Sequence, residues 1–135
     1  MQRLKLLGGA SIETGAGPMT GKAVQRRRIA LLALLAARRS SGMSRDKLIS
    51  LLWPASEAER ARALLSDSVY RVNQGFPTEV IQSVGDELRL NHAELPSDVA
   101  ELDEALANQD HERVVSLYTG PFLDGFFLSE SPEFE

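Results

Sequence analysis

The chain contains no cysteine. Disulfides and thiolate metal sites are therefore excluded, and the absence fits a reducing compartment. Histidine is nearly as scarce. His92 and His111 are the only two, with no partner at ligand spacing, so they read as surface residues and no metal or other cofactor is expected. The longest apolar run, Ile29 to Ala37, is too short to span a bilayer, so no membrane partner is expected. No extended apolar stretch follows Met1, and Gly8-Gly9 arrives too early for a signal peptide. These absences predict a soluble, cytoplasmic protein. Catalytic groupings are missing too. No Ser/His/Asp constellation can be drawn, and Glu101, Asp103 and Glu104 read as one solvated helix face rather than an acid/base pair. Gly21-Lys22 follows a glycine-rich turn, but a phosphate loop would need Gly at position 16 and Ser or Thr at position 23, where alanines stand. The chain is read as a non-enzyme.

What is present is charge, unevenly placed. Residues 1–90 carry fourteen Lys/Arg against eight Asp/Glu, a net of +6. Residues 91–135 carry Arg113 alone against eleven Asp/Glu, a net of −10. The overall net charge of −4 thus hides a basic unit with an acidic appendage. Such a unit suits a polyanion, with chance clustering on solvated faces as the alternative. The 43% apolar share is enough for a core. The chain ends on Ser131-Pro-Glu-Phe-Glu without a cap or stop signal, which reads as a cut rather than a finish.

Along the chain, Leu4, Leu6 and Ile12 alternate with polar neighbours around Gly8-Gly9, predicting two short strands joined by a turn. Gly15-Ala-Gly-Pro is a second turn, and Met19 is placed in a third strand. A helix is predicted from about Thr20, its cap, to Arg39, with Val24, Ile29, Leu31, Leu32, Leu34 and Leu35 on its buried stripe. Ser41-Gly42 stops it. Ser44 caps a second helix with Asp46 in its first turn, Leu48, Ile49, Leu51, Leu52 and Trp53 as its core face, and Pro54 at its end. Ser56 is assigned as the cap of a third helix burying Ala61, Leu65, Val69, Val72 and Phe76, ended by Gly75 and Pro77. Val80-Ile-Gln-Ser-Val, the Gly85-Asp86 turn and Leu88-Arg-Leu90 make a hairpin. The fold class expected is α+β: a winged helix-turn-helix with an N-terminal antiparallel sheet, a C-terminal hairpin wing and a short helical tail.

Leu95-Pro96-Ser97-Asp98 reads as a linker, so the domains are 1–94, for DNA binding, and 95–135. Ser97 or Asp98 caps a helix with Val99, Leu102, Ala105 and Leu106 on one face. A second helix carries Val114, Val115 and Leu117. The pair resembles the first repeat of a tetratricopeptide-like array, a unit that does not bury its face alone. Phe122, Phe126, Phe127 and Phe134 add apolar area. The tail is expected to dock on the sheet side of the winged domain, with Ser129 onward loose.

The third helix is the element suited to reading DNA. Opposite Leu65 fall Arg60, Ala63, Asp67, Tyr70, Arg71 and Gln74, with Ser66 beside them. Arg, Gln and Tyr hydrogen-bond to base edges or phosphates in the major groove. Arg45 and Lys47 open the second helix, and Ser83 and Gly85 sit at the wing; these complete the candidate DNA-binding set. Arg26-Arg27-Arg28 and Arg38-Arg39 bracket the first helix as further phosphate contacts, though three consecutive arginines cannot all face one way. Solubility is the alternative role for them, and an ordinary solvated face is the alternative for the third helix. Trp53 is read as structural.

At Ala61-Arg-Ala-Leu-Leu-Ser-Asp-Ser-Val-Tyr-Arg-Val the sequence resembles the SARP family of bacterial transcriptional regulators. Leu4-Lys-Leu-Leu-Gly-Gly resembles that family's opening strand, and Gln25-Arg-Arg-Arg-Ile-Ala-Leu-Leu-Ala-Leu-Leu-Ala its first helix. Ser44-Arg-Asp-Lys-Leu-Ile-Ser-Leu-Leu-Trp-Pro resembles its second helix, and Gly85-Asp-Glu-Leu-Arg-Leu its wing. Ser97-Asp-Val and Leu117-Tyr-Thr-Gly-Pro-Phe-Leu-Asp-Gly-Phe resemble the start of the bacterial transcriptional activator domain that follows. The resemblance implies an OmpR-like winged helix that binds direct repeats in double-stranded DNA, with a possible dimer on DNA, and recruits RNA polymerase. It places the recognition helix at Ser56 to Gln74 and makes Pro54, Ala55, Ser56 and Glu57 the polymerase-contact loop. Two departures stand out: Asn73 and Gln74 replace further basic residues, and Asp67 puts a negative charge on the outward face. The alternative function is a winged-helix protein-interaction module in a signalling protein that has lost DNA binding.

Overall fold

A computed structural model describes residues 2–14, 17–18, 26–38, 41–120 and 122. Among them the chain is mixed α/β, with five helices and two small antiparallel sheets. The first sheet joins β1 (Arg3–Lys5), β2 (Ser11–Thr14) and β3 (Gly17–Pro18) in that order. Leu4 pairs with Ile12, and both are fully buried, so the predicted alternation sends one face of this sheet into the core. Gly17-Pro18, expected within a turn, instead pairs with Glu13 and Thr14. The assignments to Gly15, Ala16, Met19, Thr20, Val24 and Arg39 lie outside the described residues, as do those to Phe126, Phe127, Phe134 and the segment from Ser129.

Helix α1 (Arg26–Ala37) runs through the centre of the core, with Ala30, Leu31, Leu32, Leu35 and Ala36 fully buried. Burying each leucine stabilises the fold by about 1.5–3 kcal/mol. Next comes β4 (Met43–Ser44), a strand without a sequence signal of its own, and then α2 (Arg45–Leu52). Ser44 caps α2 as expected, its Oγ accepting from the Lys47 N–H. Trp53 closes α2 and is buried against the same core.

Helix α3 (Ala58–Gln74) starts without the expected cap. Glu57 occupies that position and makes no side-chain capping bond, so Ser56 is one residue too early. The buried stripe is Ala61, Leu65, Ser68 and Val72. Ser68, buried where the expected stripe had Val69 instead, donates its hydroxyl to the Leu64 carbonyl at 2.8 Å and so satisfies itself within the helix. Val69 packs half-buried at the margin of the core.

The second sheet has the order β4-β6-β5, with β5 at Ile81–Val84 and β6 at Glu87–Leu90. The Gly85-Asp86 turn of the hairpin is as expected: Gly85 has φ +61°, the sign that a type II′ turn requires of its first central residue. Met43 and Ser44 pair with Leu88 and Glu87, tying the hairpin to the start of α2. Asn73 fastens its other end. Its Oδ1 accepts from the Val80 and Ile81 N–H groups, both at 3.0 Å, and its Nδ2 donates to the Ile81 carbonyl at 3.1 Å.

The stretch expected as a linker is instead built into the core. Leu95 and Ser97 are fully buried, and the Leu4 N–H donates to the Pro96 carbonyl at 2.8 Å. Ser97 caps α4 (Asp98–Ala107), and α4 packs on β1 and α1. Arg3 grips Glu101 through two bonds of 2.9 and 3.1 Å, and this hydrogen bonding, ahead of the opposing effect of burial, raises the guanidinium pKa above its ordinary value. Helix α5 (His111–Leu117) folds against α4 and buries no residue of its own. Leu106, Val115 and Tyr118 remain exposed. His111 is exposed and His92 half-buried.

Candidate nucleic-acid interface

Helix α3 places its candidate residues by simple periodicity. With Ala61, Leu65 and Val72 turned inward, Arg60, Ala63, Ser66, Asp67, Tyr70 and Gln74 are exposed. Tyr70 is 60% exposed. Arg71 lies at the flank of this face and is half-buried.

Two side-chain pairs organise the face, each one helical turn apart. Arg71 Nε donates to both carboxylate oxygens of Asp67 at 3.0 Å. Gln74 Nε2 donates to the Tyr70 hydroxyl at 2.7 Å. Behind the first pair, on α1, stands Arg28, which is only 8% exposed. Burial lowers the Arg28 pKa from its ordinary value; the nearby Arg71 cation lowers it further, and Asp67 opposes both.

The other candidates gather at the foot of α3. A cleft of about 490 Å³ is lined by Ser44, Arg45, Asp46, Ile49, Arg62, Leu65, Ser66 and Asp86, so it opens between the first turn of α2, α3 and the hairpin tip. Arg45 spans it: its N–H donates to the Asp86 carbonyl at 3.0 Å and its guanidinium donates to the Ser83 hydroxyl. Arg45, Ser66 and Ser83 are thereby brought together next to Gly85, while Lys47 stays exposed on α2. Arg62, absent from the sequence-based set, belongs here; its spacing of four from Ser66 on one helix was the signal that could have found it. Pro54, Ala55 and Glu57 are exposed in the loop before α3, and Ser56 is half-buried, its N–H donating to the Trp53 carbonyl at 3.2 Å.

The arginine run of α1 is not brought to this face as a unit. Arg26 is exposed, Arg27 donates to the Leu52 carbonyl at the end of α2, and Arg28 is buried. Arg38 donates to the Gly42 carbonyl at 3.2 Å. Arg27, Arg28 and Arg38 are thus engaged within the fold, and the three residues of the run diverge because the helical period turns consecutive residues in different directions. No grouping of His, Asp and Glu among the described residues could hold a metal ion. No described helix is long and apolar enough to cross a membrane.

This arrangement of helices and small antiparallel sheets has a counterpart among solved structures. It is similar to Mycobacterium tuberculosis EmbR, solved in complex with a low-affinity phosphopeptide, with a TM-score of 0.67 and 20% sequence identity. The match covers 93% of this chain and 38% of EmbR, so the chain spans well under half the length of that protein. At this identity the likeness is one of fold. No family model matches the sequence, and no curated protein does.

Proposed function

We propose that the chain is a sequence-specific DNA-binding transcriptional regulator of the winged helix-turn-helix type. In this reading α3 enters the major groove and the β5–β6 hairpin lies on the backbone as the wing. The observation that carries it is the outward face of α3: Arg60, Tyr70 and Gln74 exposed with Arg71 at their flank, above a cleft where Arg45, Arg62 and Ser66 meet the hairpin tip. The α3 side chains are of the kinds that hydrogen-bond to base edges, and the cleft supplies cations for phosphates. The shared fold with EmbR and the sequence resemblance to SARP regulators support the assignment.

Residues 1–94 are the DNA-binding domain in this reading. Residues 95–135 begin a helical activator domain, docked on the N-terminal sheet through α4. The partners are double-stranded DNA carrying direct repeats, on which the protein would dimerise, and RNA polymerase, met through Pro54, Ala55, Ser56 and Glu57. A cytoplasmic location goes with these partners.

One observation favours a second reading, a protein-interaction module of the same fold. Glu59 and Asp67 are both exposed on α3 and interrupt its positive face. A salt titration of binding to random duplex DNA decides between the two. A DNA-binding protein loses affinity steeply with salt, with a slope of about −0.9 for each phosphate neutralised. Absence of binding at low salt rejects the DNA reading and favours the module.

A further inference from the structure

We propose that Asp67 is a positioning residue for Arg71, holding its guanidinium by the Nε edge so that the two terminal nitrogens are presented to a guanine. The proposal rests on the DNA-binding reading above and names the base that the α3 face selects.

The geometry gives the reason. Both bonds to Asp67 use the same nitrogen of Arg71, Nε, at 3.0 Å. The terminal nitrogens make no hydrogen bond to any described residue. An arginine fixed in this way offers two parallel donors, the fork that matches the O6 and N7 acceptors of guanine. The ion pair has little value as a stabilising contact, because an exposed pair one turn apart on a helix contributes almost nothing. Its orientation, acid before base at a spacing of four, is the favourable one.

Arg28 supplies an independent observation. This buried α1 cation lies close enough to Arg71 to repel it, and Asp67 is the carboxylate that acts on Arg28 in the opposite sense. The neighbouring Tyr70–Gln74 pair follows the same plan of one side chain steadying another a turn away.

Positioning and simple repulsion differ in outcome. If Asp67 only repelled DNA, its removal would tighten binding to every sequence alike. If it positions Arg71, its removal leaves affinity for mixed sequences unchanged or tighter and abolishes one base preference. The experiment selects duplexes from a random library with the 135-residue chain and with Asp67→Ala, Asp67→Glu and Arg71→Ala, each checked for folding by circular dichroism. The parent chain is expected to enrich a guanine at one position that Arg71→Ala no longer selects. Asp67→Ala should lose about tenfold in preference for that guanine without losing affinity for unselected duplex. Asp67→Glu, which keeps the charge, should recover part of the preference. The proposal is overturned if Asp67→Ala keeps the guanine, if every position weakens in parallel, or if Arg71→Ala changes no position. A parent chain that binds no duplex overturns the DNA reading itself, and the positioning role with it.

Discussion

Asp98 and Leu6, 92 residues apart in the sequence, are joined: the Leu6 N–H donates to Asp98 Oδ1 at 2.8 Å, and the adjacent Leu7 N–H donates to the other carboxylate oxygen at 2.9 Å. Asp98 is 2% exposed, so the bonds are made out of water. Replacing Asp98 by Ala would leave two buried donors without partners. The expected loss is roughly 3 kcal/mol, a fall of about 10 °C in Tm for a chain of this size. Thermal unfolding checks it, and Asp98→Asn, which keeps one acceptor, should fall between the two.

Trp53 is buried at the junction of α2 and the loop before α3, within the main core. Trp53→Ala should cost about 3–5 kcal/mol, measured by urea denaturation. An unchanged midpoint would show that the ring does not close the core.

Two glycines should behave oppositely. A Cβ on Gly42 would stand 2.8 Å from the Leu88 carbonyl oxygen, whereas one on Gly9 would meet nothing within 4 Å. Gly42→Ala is therefore expected to destabilise by about 1–3 kcal/mol, the usual cost of overpacking. Gly9→Ala should leave stability within about 0.5 kcal/mol of the parent. Parallel melts of the two variants test the close approach of β6 to the α1–α2 connection.

Asn73 ties α3 to the hairpin. It stands next to Gln74 on α3, yet its side chain is committed to the Val80 and Ile81 backbone. Asn73→Ala should lose about 2 kcal/mol of stability. Urea denaturation of the variant beside the parent makes the comparison, and equal midpoints would show that the hairpin does not depend on this side chain.

Arg62 shares the cleft with Arg45 and the hairpin tip. If it meets a phosphate, Arg62→Ala should weaken binding to all sequences about equally and reduce the salt slope by about one. A slope equal to that of the parent would place Arg62 outside the interface.

Much of this architecture was legible from local chemistry. The cap at Ser44, the cap of α4 at one of its two expected residues, Ser97, the Gly85-Asp86 turn and the Ala61, Leu65 and Val72 places of the α3 stripe are decided within a few residues, and those expectations hold. What escaped depends on partners distant in sequence. Met43-Ser44 is a strand only because Leu88 and Glu87 come to lie beside it. Leu95–Asp98 reads as a linker, yet Leu95, Ser97 and Asp98 are buried, with Leu4 of β1 donating to the Pro96 carbonyl and Leu6 and Leu7 beyond it donating to the Asp98 carboxylate. Charge was the least legible feature. Arg28 reads as a phosphate contact until the neighbouring helices cover it, and Asp67 reads as an unfavourable charge until Arg71 is seen to close on it.

The hairpin is held at three points: by Met43 and Ser44 along β6, by Asn73 at the root of β5, and by Arg45 near its tip. A loop so fastened is a strut rather than a flap. Its tip keeps a set distance from the first turn of α2, so any duplex that touches both is measured against a fixed gauge of groove width. The loop ordering that a mobile hairpin would meet on association is completed when the chain folds.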